Sequence, residues 1–258
     1  MEKIIITMDV GNSNMKFGLW FDDHMKHTWR VNTHHHSSGD ELGLLLEGFL
    51  RLHGLNFRDV SDLVVANVVL PMRPPIERLG NRYLGKPPII VEAFSQKIMP
   101  VKYDNPKEVG ADRVVGAIAA YERYKDSLVV VDFGTATTFD CISKAGEYIG
   151  GAIAPGFRLS AEALFDRARR LPRMEQFARP KAAMATNTLD SLNSGLVLGY
   201  AGLVEGMITR IRRELGPLRV VATGGLASLI AEEATVIEKI LPHLTMEGLK
   251  IIYDREPI

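Results

Sequence analysis

The chain has 258 residues, enough for one large domain or two ordinary ones. Hydrophobic residues make up 46% and charged residues 24%, a soluble globular balance. Lys plus Arg equals Asp plus Glu at 31 each, which leaves no footprint for a nucleic acid or membrane-surface partner. The single cysteine, Cys141, excludes an intrachain disulfide and suits a reducing compartment. No apolar run approaches the ~20 residues needed to span a bilayer. Asp9 ends the first apolar stretch too early for a signal peptide. A cytoplasmic protein is expected.

In chain order, Ile4-Ile5-Ile6 reads as a strand entering Asp9-Val10-Gly11-Asn12-Ser13-Asn14-Met15-Lys16-Phe17 and a second strand. His34-His35-His36 sits between Thr33 and Ser37-Ser38-Gly39, away from the cysteine, and reads as an exposed loop rather than a metal site. A helix is expected near Asp40 to His53, with Gly54 as its stop. Leu63 to Val69 reads as a buried strand. Pro74-Pro75 opens a second helix that ends near Gly85, and Pro88 to Glu92 is a short strand. After Tyr103-Asp104-Asn105-Pro106, the residues Val114, Ala117, Ile118 and Tyr121 recur at helical spacing.

Leu128-Val129-Val130-Val131 then enters Asp132-Phe133-Gly134-Thr135-Ala136-Thr137-Thr138-Phe139, a second strand, Asp-x-Gly loop and strand, 132 − 9 = 123 positions after the first. The stretch Gly150 to Gly156 reads as a loop, followed by a helix from about Leu159 to Arg170. Ser191 to Leu215 is a long helix with Gly195, Gly199, Gly202 and Gly206 along one side. Glycine weakens a helix, so these positions suggest close packing against another helix or a ligand. Leu218 to Ala222 reads as a strand entering Thr223-Gly224-Gly225. The repeated order points to two similar α/β domains around a central cleft, 1–106 and 107–258.

The paired loops carry the chemistry. Glycine tolerates unusual backbone angles and leaves room for a ligand. Successive N–H groups in a tight turn converge on an anion, and the hydroxyls of Ser13, Thr135, Thr137 and Thr138 add donors. Asp9 and Asp132, at strand ends, can hold a cation directly or through water, and Lys16 supplies positive charge. Either loop alone could be an ordinary hairpin turn. Two of the same kind, facing each other, would hold a nucleoside triphosphate.

The ordered set Asp9-Val10-Gly11-Asn12-Ser13, Asn105-Pro106 with Gly110-Ala111-Asp112-Arg113, Asp132-Phe133-Gly134-Thr135-Ala136, Pro155-Gly156 with Ser160, and Gly202 to Gly206 resembles type III pantothenate kinases over nearly the whole chain. The resemblance implies two duplicated actin-like (ribonuclease H-like) domains and a homodimer. It implies transfer of the ATP γ-phosphate to the pantothenate hydroxyl, with Mg2+ and a monovalent cation, K+ or NH4+. By the same resemblance Asp112 is the general base, and Arg113 contacts the pantothenate carboxylate or a phosphate. Gly110, Ala111, Tyr103 and Thr188 line the pantothenate pocket. Asp9 holds magnesium through water. Val10, Gly11, Asn12, Ser13 and Lys16 line the same phosphate site. Asp132 is the monovalent-cation ligand, Gly134 and Thr135 form the second phosphate loop, and Gly224 and Gly225 lie near adenine.

Read from spacing alone, Asp112 is also a helix N-terminal acid, Tyr103 a packed surface aromatic, Thr188 a helix N-cap, and Gly224-Gly225 a strand-to-helix turn. The chain departs from commoner family patterns at Ala185-Thr186-Asn187-Thr188, where a lysine is missing, and at Ser191-Leu192-Asn193-Ser194-Gly195. Two other readings compete: a kinase of the same fold acting on a sugar or carboxylate, and a catalytically inactive nucleotide-binding regulator.

Overall fold

In the computed structural model, which describes residues 2–168 and 170–256, the first apolar run forms β1 (Ile4–Val10), buried along its whole length. It turns back as β2 (Asn14–Phe21), and Asp22 in a left-handed conformation (φ 50°) leads into β3 (His24–Asn32). Helix α1 (Gly39–Arg51) starts on a reciprocal cap. The Glu41 N–H donates to Ser38 Oγ at 3.2 Å, and the Ser38 N–H donates to Glu41 Oε2 at 2.6 Å, so two otherwise orphaned donors are satisfied. The expected stop at Gly54 is present, with φ 72°. β4 (Val60–Asn67) runs parallel to β1. Pro74 and Pro75 lie in the first turn of α2 (Arg73–Leu79), which continues as a π-helical turn, Gly80–Leu84, ending at Gly85. β5 (Ile89–Val91) pairs with β4. The sheet order is β3-β2-β1-β4-β5, and its core packs Met8, Val10, Phe17 and Val65 against Leu46 and Ile76. Helix α3 (Ala111–Tyr124) follows.

The second half repeats the plan. β6 (Leu128–Phe133), β7 (Ala136–Ile142) and β8 (Tyr148–Pro155) form an antiparallel meander. Helices α4 (Phe157–Arg167) and α5 (Thr188–Leu215) lead to β9 (Arg219–Gly224), then α6 (Ala227–Ala231) and β10 (Lys239–Ile240). Strands β9 and β10 extend the sheet in parallel. Read from its meander edge, the order β8-β7-β6-β9-β10 repeats β3-β2-β1-β4-β5 strand for strand, with the same parallel and antiparallel pairings. The inner face of α5 (Val197, Val204, Ile208) packs with Phe133, Phe139 and Phe157.

The stretch Gly150 to Gly156 is not the loop its glycines suggested. Most of it is β8, an edge strand whose backbone groups pair with β7. Gly150, at φ 120°, sits where the register shifts, so its glycine marks an irregular strand rather than its absence. Arg169, inside the helix expected to reach Arg170, lies outside the described residues.

A last helix, α7 (Leu244–Arg255), returns to the first sheet and packs on β1 and β4. A Cβ on Gly248 would stand 2.0 Å from the Val115 carbonyl oxygen, so only glycine allows that approach. The Thr7 hydroxyl donates to Met246 Sδ at 3.3 Å, and the Tyr253 hydroxyl donates to Asp62 Oδ2 at 2.5 Å. Burial alone would lower the Lys250 pKa, but Asp254 at 2.6 Å and Asp23 at 3.0 Å raise it instead. The chain thus divides into one unit comprising residues up to Ala119 and from Leu244 onward, and a second from Ala120 to His243.

Candidate active site

In the first unit, Asp9 stands near the end of β1, 6% exposed, in register with Lys16 on β2. Lys16 Nζ lies 3.4 Å from Asp9 Oδ2. Burial pushes the Asp9 carboxyl above the ordinary aspartate value of 3.8, and Lys16 works against that shift. The turn between the strands closes tightly, with the Gly11 N–H donating to the Asn14 carbonyl at 3.1 Å. The arrangement is a half-buried cation beside a buried carboxylate, at the mouth of a two-residue turn.

Asp112 belongs to the same unit, in the first turn of α3. Its Oδ1 accepts the Arg113 N–H at 2.8 Å. A Cβ on Gly110 would be 2.5 Å from that oxygen and 3.4 Å from Val68 Cγ1. Gly110 therefore lets the carboxylate fold back over the chain just ahead of the helix. Val68, whose Cγ1 lies 3.4 Å from where that Cβ would stand, donates its N–H to the Val10 carbonyl at 3.1 Å. Through these contacts Asp112 and the Asp9 loop share one end of the first sheet.

In the second unit, Asp132 is next to last in β6, in register with Thr223, and Phe133 lies opposite Gly224. Gly224 has φ 97°, and a Cβ there would sit 2.6 Å from Asp132 Oδ1 and from two Phe133 backbone atoms. Glycine is required by both angle and space. The Gly134 N–H closes the loop onto the Ala136 carbonyl at 3.1 Å. Gly156, preceding α4, supports it from one side: its N–H donates to the Thr135 carbonyl at 3.1 Å. Its absent side chain would fall 2.2 Å from that same oxygen.

Two buried hydroxyl networks hold β7 beyond this loop. Tyr200 of α5 donates to the Pro155 carbonyl at 2.6 Å, which leaves Thr137 to donate to Tyr200 at 2.5 Å. Burial raises the Tyr200 phenol above its ordinary value, although the Thr137 contact acts in the other direction. Asp140, 1% exposed, accepts from Thr138 Oγ1 and from the Tyr148 hydroxyl, each at 2.8 Å. Neither Asp140, Tyr148 nor Tyr200 stands out in the sequence; the one signal was a charged residue inside the apolar stretch Phe139 to Ile142.

Other candidates are more exposed. Tyr103 is 36% exposed on the bend before the 3-10 turn Pro106–Glu108. Thr188 is exposed in the first turn of α5, and its neighbour Asn187 is the N-cap, accepting the Asp190 N–H at 2.9 Å. Gly225 lies in the turn between β9 and α6. The glycine side of α5 is open among the described residues: a Cβ on Gly195, Gly199 or Gly202 would find nothing within 4 Å. Among the described residues no group of three or more His, Cys, Asp or Glu side chains could hold a metal.

The sequence profile of type III pantothenate kinases matches residues 5–210. The chain is 49% identical over 253 residues to the type III pantothenate kinase of Syntrophobacter fumaroxidans, covering 98% of both chains. It is 46% identical to that of Geobacter sulfurreducens, covering 98% of this chain and 99% of the relative. Among solved structures it resembles a ROK family glucokinase from Streptomyces griseus in complex with glucose and AMPPNP, with a TM-score of 0.56, 13% identity, and 97% and 98% of the two chains covered. That likeness establishes the duplicated actin-like fold alone. With two matched five-stranded sheets, two Asp-x-Gly loops and sequence identity along nearly its whole length, the chain belongs to the type III pantothenate kinase family.

Proposed function

We infer that the chain transfers the γ-phosphoryl group of ATP to the hydroxyl of pantothenate, giving 4'-phosphopantothenate, the first step of coenzyme A biosynthesis. The observation that carries the residue roles is the Asp112 carboxylate folded over Gly110, at the same sheet end as the Asp9 loop. We assign Asp112 as the general base that takes the proton from the attacking hydroxyl. Arg113 next to it supplies a planar cation suited to the pantothenate carboxylate or a phosphate. Tyr103, Ala111 and Thr188 are assigned to pantothenate on family pattern alone.

Asp9, Val10, Gly11, Asn12, Ser13 and Lys16 are assigned to the phosphates, and so are Gly134 and Thr135. Gly224 and Gly225 are assigned to the nucleotide. The donor set at Asp9 suits magnesium held through water, since magnesium keeps several waters and is commonly bound by one or two carboxylates with substrate phosphates. When bound, such an ion neutralises charge on the transferring phosphoryl group. Asp132, its Oδ1 close to the Gly134 and Gly224 backbone, suits a potassium or ammonium ion. Lys16 holds its charge beside Asp9 in the meantime and is positioned to meet an incoming phosphate.

The open glycine side of α5, with Leu189 and Ile153 exposed in the same unit, supports a homodimer. A cytoplasmic location agrees with ATP as donor. Among the described residues no helix is long and apolar enough to cross a membrane.

The test is formation of phosphopantothenate from ATP, magnesium and pantothenate, run with potassium and then with sodium. Product is expected in potassium. Asp112→Asn should lower kcat by on the order of 10²–10⁴-fold with both KM values little changed. Near-normal turnover would remove Asp112 as base, and phosphorylation of a sugar or acetate without pantothenate turnover would overturn the acceptor.

A further inference from the structure

The tail of β3 and the histidine run after it grip the first loop. Thr33 Oγ1 donates to the Gly11 carbonyl at 2.6 Å. His35 Nε2 lies 2.9 Å from the Asn12 carbonyl. A carbonyl only accepts, so this nitrogen carries the hydrogen. The Thr33 N–H donates to the Ser13 carbonyl at 3.0 Å, and Arg30 Nε donates to Asn14 Oδ1 at 3.0 Å. With the Gly11 N–H on the Asn14 carbonyl, four successive carbonyls, Gly11 to Asn14, each accept a hydrogen bond.

This pattern fixes peptide planes. Among the described residues no peptide bond is cis, so in this loop the carbonyl of one residue and the N–H of the next point in opposite directions. With the Gly11 and Asn12 carbonyls held by Thr33 and His35, the N–H groups of Asn12 and Ser13 point away from those two side chains. A Gly-Asn-Ser turn without such restraint would lose binding energy to the ordering of its backbone. Donors that already point correctly avoid that cost.

We propose that Thr33 and His35 are positioning residues for ATP: they set the orientation of the Asn12 and Ser13 peptides that receive the phosphates. The inference rests on the assignment of the Asp9 loop to ATP. Neither residue touches substrate, so their loss weakens nucleotide binding and leaves pantothenate recognition alone.

The experiment measures affinity for magnesium–AMPPNP, and KM for ATP and for pantothenate, in five variants, with melting temperature recorded alongside. Thr33→Val removes the hydroxyl at nearly constant volume and should weaken AMPPNP binding and raise KM for ATP about 3–10-fold. KM for pantothenate should stay within about twofold. Thr33→Ser should restore the value. His35→Ala should act in the same direction by about 2–5-fold, with recovery in His35→Gln, whose amide can still donate. If Thr33→Val fails to fold, His35→Ala at its exposed ring decides alone. Unchanged nucleotide affinity in both variants, equal rises in both KM values, or no recovery in Thr33→Ser would overturn the proposal. Lys16→Ala separates the two levels. If it leaves AMPPNP affinity intact, the loop assignment fails and the positioning role falls with it; if it weakens AMPPNP while Thr33 and His35 variants do not, only the positioning role is lost.

Discussion

Replacing Gly156 with alanine tests whether the second loop is held in a working position from outside. The new Cβ would lie 2.2 Å from the Thr135 carbonyl oxygen and 2.6 Å from that of Gly134, where ordinary contact begins at 3.4 Å. Both obstructing atoms are backbone, so no flexible side chain can yield. The loop, or the start of α4, must retreat by 3.4 − 2.2 = 1.2 Å. Overpacking of this kind costs about 1–3 kcal/mol, which in a chain of this size lowers Tm by about 2–12 °C. With this loop assigned to the phosphates, the larger expected consequence is catalytic, because misplacing a substrate-positioning group by about 1 Å costs on the order of 10²-fold in kcat/KM. The assay is a coupled measurement of ATP-dependent phosphopantothenate formation, with thermal melting on the same sample. Gly48→Ala is the control: its site in α1 has nothing within 4 Å of the new Cβ, so activity should hold while stability rises by up to about 1 kcal/mol. If Gly156→Ala keeps kcat/KM within threefold of the parent and melts at the same temperature, the reasoning from this contact is wrong.

Three further outcomes are expected. Asp9→Asn should cost at least about 10²-fold in activity yet raise the melting temperature at neutral pH, because it removes a charge that burial disfavours. The sign follows from linkage: a carboxyl whose folded pKa lies above 3.8 binds more protons folded than unfolded, so stability falls as pH rises through that interval. The advantage of the variant should therefore grow from acid toward neutrality, and a constant difference in Tm would count against it. His27 stacks on His53 with ring centroids 3.5 Å apart, and burial first, then His53 and Lys26, lower its pKa. The unfolded chain then takes up protons more readily, so stability should drop as pH falls through about 6.5, and His27→Phe should flatten melting curves recorded between about pH 5 and 7. Gly199→Leu should convert a dimer to a monomer in sedimentation, and a parent protein that sediments as a monomer would remove that proposal.

The hairpins around Asp9 and Asp132 were legible because each acid and glycine follow a mainly apolar run, a contrast that depends only on neighbours in the chain. The same is true of α1, read from Asp40 to His53 with Gly54 as its stop; its cap at Ser38 and Glu41 emerged only in the structure. Strand β8 was hidden because Gly150 and Gly151 signal a break, while pairing to β7 across the sheet overrides that local preference. Helix α7 gave no clear signal, since much of it is buried, including Lys250, and the amphipathic contrast is blurred. Gly156 and Gly224 were visible as glycines, but the carbonyls and the Asp132 carboxylate that require them lie 20 or more residues away in sequence. Thr33 and His35 resemble any polar loop until the register of β2 and β3 brings them to the Asp9 turn.

The return of α7 to the first sheet has a consequence for how the protein is made. Strands β1 and β4 leave the ribosome early, but the helix that seats Gly248 on Val115 and receives the Thr7 hydroxyl is translated after all of the segment 120–243. The inserted unit can finish folding while the unit that encloses it in sequence still exposes an apolar flank. Nascent chains stalled just short of Leu244 should therefore present a protease-resistant second half joined to a first half that still needs shelter from aggregation.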